Sequence, residues 1–134
     1  MIKLIYGPEG SGKTTKLIDM ANGEVKTTDG NIVFVDADNS NMLNLNHDIR
    51  LINAMEFDID NIESFRGFLC GIMAENYDIT KIYIDGIYKI LDVGVEEIRK
   101  LIKEVMNKHS IGFVLSVNST MTELPDDLQK YIIS

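Results

Sequence analysis

The chain has 134 residues, 45% hydrophobic and 25% charged, the composition of a soluble globular protein with one domain spanning residues 1–134. A net charge of −8 and a pI near 4.6 oppose nonspecific association with nucleic acid or anionic membrane, and no run approaches the ~18 apolar residues of a membrane span. The single cysteine, Cys70, excludes an internal disulfide and fits a reducing cytosol; among Phe68, Leu69 and Ile72 it reads as a buried, inert thiol.

The first predicted element is a strand over about 2–6, Ile-Lys-Leu-Ile-Tyr, and not a signal peptide, so a cytoplasmic location is expected. Residues 7–14 then read Gly-Pro-Glu-Gly-Ser-Gly-Lys-Thr, a complete G-x-x-x-x-G-K-[ST] pattern, followed by a predicted helix from about 13 to 22. Strand, Gly-rich loop and helix in that order form a phosphate-binding unit. Gly7, Gly10 and Gly12 allow positive φ and close approach of backbone to phosphate. Inward N–H groups make an anion nest, and the helix N-terminus adds its dipole. Lys13 is expected at the β- and γ-phosphates, and Thr14 on a magnesium ion. Pro8 stiffens the loop, and Glu9 is either solvated or aimed at a metal or partner. The expected nucleotide contacts are Gly7, Pro8, Glu9, Gly10, Ser11, Gly12, Lys13, Thr14 and Thr15.

Ile32–Val35 is a short continuous apolar run, as in a strand buried on both faces. Residues 37–48 are polar and Asn-rich, either a mobile surface loop or a lid that touches substrate. Residues 49–53 suggest a short edge strand. A helix is predicted over about 60–76, with Asp60 and Glu63 resembling a capping box. Lys81–Asp85 forms a third strand, 94–108 a third helix and 111–117 another strand. Pro125 opens a short helical turn, and 131–133 suggest a closing strand. Alternating strands and helices predict an α/β three-layer sandwich with a mostly parallel sheet of about five strands.

The apolar strand that ends in Asp85 places a carboxylate beside the phosphate loop, where it would bind magnesium or orient Thr14. Gly86 follows, where many P-loop ATPases carry a catalytic Glu. His47 and His109 have no Cys or His neighbours at metal-ligand spacing.

Three segments besides the loop resemble the RecA family of P-loop NTPases. Val33-Phe34-Val35-Asp36-Ala37-Asp38 is similar to a strand ending Asp-Ala-Glu, whose Glu is the catalytic carboxylate. Ile84-Asp85-Gly86-Ile87 followed by Ile90 is similar to that family's magnesium strand. Val114-Leu115-Ser116-Val117-Asn118 is similar to its strand ending in a residue that senses the γ-phosphate. The order of all four segments agrees, and the likeness covers most of residues 1–118. It also extends to small bacterial P-loop ATP-binding proteins. The resemblance implies the P-loop NTPase fold with ATP and Mg2+ as cofactors. It implies Lys13, Asp38 and Asn118 as the catalytic set, with Asp36 in reserve, and Thr14 and Asp85 at the metal. Asp38 departs from the family's Glu by one methylene, and Ser116 belongs either to the site or to the core.

A slow Mg-dependent ATPase is the leading expectation. The alternatives are a nucleotide sensor whose loops bind a protein partner, and a small-molecule kinase. RecA-like sites often borrow a cation from a second copy, so a homo-oligomer is a possible partner. Arg50, Arg66 and Arg99 are the only arginines, too few for an Arg-rich kinase lid. Arg50 and Arg66 are the candidates for a borrowed finger.

Overall fold

The computed structural model describes residues 1–119 and 123–133. Its strands are β1 (Ile2–Gly7), β2 (Asn31–Asp36), β3 (Arg50–Asn53), β4 (Ile79–Ile84) and β5 (Gly112–Asn118). Its helices are α1 (Lys13–Glu24), α2 (Ile62–Glu75), α3 (Ile87–Ile90), α4 (Val95–Glu104) and α5 (Asp126–Gln129). The five strands form one sheet in the order β1-β5-β4-β2-β3, and every pairing is parallel. An all-parallel sheet needs both faces covered, because its crossovers lie on those faces.

Side-chain alternation divides the core in two. Ile5, Phe34, Tyr83 and Val114 point to one face and pack with Leu17, Ile18 and Ala21 of α1. Leu4, Val33, Val35, Ile82, Ile84 and Leu115 point to the other face, against Phe65, Leu69 and Met73 of α2 and Ile98, Leu101 and Ile102 of α4. On the α1 face the cover is completed by the 37–48 connection, whose Leu45 joins Ile49 in the core. That connection holds the tight turn Met42–Asn44 and is pinned to α1 by Asn22. The Asn22 amide donates to the Asn44 carbonyl (2.9 Å), and its carbonyl accepts from the Asn46 N–H (2.8 Å).

Four details differ from the sequence reading. Helix α2 is capped by Asn61 instead of Asp60. The Asn61 side chain accepts from the Ser64 N–H at 2.8 Å, and Ser64 Oγ accepts from the Asn61 N–H at 3.3 Å. The predicted 94–108 helix stops at Glu104, and Met106–Lys108 forms a tighter turn. Cys70 is exposed, because Leu69 and Met73 occupy the buried stripe of α2 and turn Cys70 outward. The expected closing strand is reduced to one parallel bridge between Leu4 and Ile132.

Candidate functional site

The same alternation that builds the α1 face also builds the site. Two residues beyond Phe34 stands Asp36, two beyond Tyr83 stands Asp85, and beyond Val114 stand Ser116 and then Asn118. Each row is apolar under α1 and turns polar at the carboxyl end of its strand. Strand β5 lies between β1 and β4, so Asn118 pairs with Gly7 and Leu115 with Ile84. The Gly-rich loop, Ser116, Asn118 and Asp85 therefore share one end of the sheet, where open α/β sheets place their ligand crevice. A cleft of about 390 Å³ opens there, lined by Glu9, Gly10, Gly12, Lys13, Thr14, Thr15, Asp85, Gly86, Tyr88, Lys89, Ser116 and Asn118.

Two loop glycines adopt the left-handed backbone that the sequence demands of them, Gly10 at φ 81° and Gly12 at φ 89°. Gly7 does not; it ends β1, and its need is space, because a Cβ there would lie 2.8 Å from Ser11 Oγ. The loop closes on the Pro8 carbonyl. That oxygen accepts from the Ser11 N–H (3.2 Å), Ser11 Oγ (2.6 Å) and Lys13 Nζ (2.7 Å). Helix α1 carries no acidic residue in its first turn, so nothing there neutralises its positive end.

Thr14 Oγ1 donates to Asp85 Oδ2 at 2.8 Å, and Ser116 Oγ donates to Asp85 Oδ1 at 2.6 Å. Ser116 Oγ also accepts the Gly86 N–H at 3.2 Å. Ser116 thus belongs to both of its expected settings, buried and part of the site. Thr14 and Asp85 are the donor set a divalent cation would use. Magnesium takes one or two carboxylate or hydroxyl oxygens and fills its other positions with water and phosphate. Among the described residues no three His, Cys, Asp or Glu side chains group as a metal cage, so a cation here would lean on ligand oxygens.

The two carboxylates after β2 differ sharply. Asp36 is buried beside Asp85; it accepts from its own neighbour Ala37 N–H (2.7 Å) and from Asn41 Nδ2 (3.2 Å). Burial pushes its carboxyl above the usual range, the Ala37 and Asn41 hydrogen bonds oppose this, and the charges of Asp85 and Asp38 add to it. Asp38 is exposed and lies outside the cleft lining, its Oδ1 accepting from Ser40 N–H (2.9 Å) and Ser40 Oγ (2.6 Å). Those bonds, with a smaller contribution from the Lys89 charge, hold its carboxyl below the usual range.

Sequence reasoning passed over Tyr88 and Lys89. Both line the cleft because α3 starts directly after Asp85, through a left-handed Gly86 (φ 69°). The Tyr88 hydroxyl is buried without a hydrogen-bond partner among the described residues, and burial, with a nearby Tyr6, pushes it up to about 12. The available signal was the Asp-Gly pair followed by the Ile87 and Ile90 anchors, which bends the chain back over the site.

The fold is that of an α/β protein of P-loop, RecA-like architecture. Among solved structures it is similar to the flagellar accessory protein FlaH from Methanocaldococcus jannaschii, with a TM-score of 0.57 and 18% identity. The match covers 96% of this chain and 65% of that one, so the chain spans about two thirds of that protein's length. No protein-family model and no curated protein matches the sequence. Among the described residues no helix is long and apolar enough to cross a membrane.

Proposed function

We propose that the chain binds MgATP and hydrolyses it slowly, as a cytoplasmic P-loop nucleotide-binding protein. The observation that carries this reading is the 2.8 Å hydrogen bond from Thr14 Oγ1 to Asp85 Oδ2. It joins the last residue of the Gly-rich loop to the strand-terminal carboxylate, the two groups that hold magnesium in P-loop proteins. Lys13 then serves the β- and γ-phosphates once it exchanges the Pro8 carbonyl for phosphate oxygens. Loop N–H groups and the start of α1 supply the remaining donors. Asn118, beside Gly7 in the register, is the candidate reader of the γ-phosphate.

A second reading, nucleotide binding without appreciable turnover, is favoured by Asp38. Its carboxylate faces solvent and is committed to Ser40, so a water-activating carboxylate must come from elsewhere. The kinase reading has less support, because none of the three arginines lines the cleft.

The test is MgATP binding by calorimetry together with phosphate release, with Lys13→Ala as control. Micromolar binding that is lost in Lys13→Ala, with an unchanged circular-dichroism spectrum, is the expected result. Binding that survives in Lys13→Ala would remove the Gly-rich loop from the nucleotide site. Binding without phosphate release would select the second reading.

A further inference from the structure

Positive charge aimed at the γ-phosphate, in addition to the loop lysine, favours a triphosphate over a diphosphate. None of the arginines supplies it. Arg66 is paired with Glu104 at 2.7 Å, and Arg99 is paired with Glu96 and Asp127. Arg50 stands at the other edge of the sheet, against α2. Among the cleft-lining residues the cations are Lys13 and Lys89.

Lys89 is placed there by construction. Its helical turn is anchored by Ile87 and Ile90, both buried, and is closed by the Lys89 N–H on the Gly86 carbonyl at 2.8 Å. Its stem runs beside the Gly86 Cα: a Cβ at residue 86 would lie 3.3 Å from Lys89 Cδ. The side chain therefore leaves the turn along the residue that follows Asp85. Among the described residues Lys89 Nζ forms no ion pair, and the Asp38 carboxylate feels its charge only as a minor influence.

We propose that Lys89 is the γ-phosphate contact that makes the site prefer a nucleoside triphosphate over a diphosphate, a cation supplied by the chain itself and not by a neighbour. This rests on the reading of the cleft as a phosphate site. It assigns Lys89 a specificity role and no proton transfer.

The experiment is calorimetric titration of the full chain with MgATP and with MgADP, for wild type, Lys89→Ala and Lys89→Arg. Lys89 is exposed, so thermal melts of the variants should match wild type. Loss of one charge-assisted hydrogen bond should lower MgATP affinity about tenfold and leave MgADP affinity within about twofold, with Lys89→Arg largely restored. An ATP-to-ADP preference unchanged in Lys89→Ala would overturn the assignment while leaving the phosphate site intact. A preference that emerges in wild type only at high protein concentration would give the cation to a second copy and also overturn it. Failure of wild type to bind either nucleotide would sink the reading of the cleft itself, and the Lys89 role with it.

Discussion

Ser116 ties β5 to the carboxylate that follows β4. One hydroxyl donates to Asp85 Oδ1 and accepts from the Gly86 N–H, and both Ser116 and Asp85 are buried. Ser116→Ala would leave a buried carboxylate oxygen and a backbone N–H without partners. Such a loss costs about 1–3 kcal/mol, more than an ordinary surface hydrogen bond. Urea denaturation should show a lower midpoint at unchanged slope, and MgATP affinity should fall as Asp85 loses its orientation. A midpoint equal to wild type would mean that the hydroxyl is dispensable. The reading of Asp85 rests on an apolar strand ending in a carboxylate downstream of a Gly-rich loop, and the structure sets that carboxylate within hydrogen-bond reach of Thr14. The sequence reading leaves Ser116 undecided, since alternation assigns a face but does not say where along that face the apolar cover ends. It also ranks Asp38 ahead of Asp36 as the catalytic carboxylate. Their difference is local: Asp38 turns outward into hydrogen bonds with Ser40, whereas Asp36 stays on the strand and in the interior.

At the scale of elements, the start of α2 shows how a boundary is set by hydrogen bonds more than by charge. Asp60 and Glu63 have the right spacing for a cap, yet Asn61 adopts the extended backbone (φ −151°, ψ 170°) and exchanges bonds with Ser64. Any of several polar residues in a row satisfies the pattern, and sequence spacing alone does not fix which of them takes the extended cap conformation. Asn61→Ala should therefore lower stability by about 1 kcal/mol, seen as a drop of a few degrees in Tm. Asp60→Ala should change it by less than about 0.5 kcal/mol. The reverse ranking in matched thermal melts would restore Asp60 as the cap. Strands and long helices were otherwise legible from their periods. Buried parallel strands appear as unbroken apolar runs, and α4 repeats its apolar residues at helical spacing.

The arrangement of the whole sheet was the least legible feature. Thr14 and Asp85 meet across 71 positions of sequence, and Ser116 and Asp85 across 31, so no local pattern encodes the contacts. Likewise, nothing in the run 112–118 announces that β5 inserts between β1 and β4. That insertion leaves β1, the strand leading into the Gly-rich loop, at the sheet edge, with its outer N–H and C=O groups in need of cover. The segment after α5 gives partial cover: the Leu4 N–H donates to the Tyr131 carbonyl (2.8 Å), and the Ile133 N–H donates to the Leu4 carbonyl (2.9 Å). Ile133→Pro tests whether those bonds matter, because it deletes one donor while the side chain it replaces is already 44% exposed. The control is Ile133→Ala, which removes the side chain and keeps the donor. If the segment pins the edge, the proline variant should be less stable than the alanine variant by about 1 kcal/mol in urea denaturation. Deuterium exchange at the β1 amides should also quicken, since the strand then loses its fastening on one side. Equal stability of the two variants would mean that the segment merely rests against β1, and that pairing with β5 alone holds the strand that carries the loop.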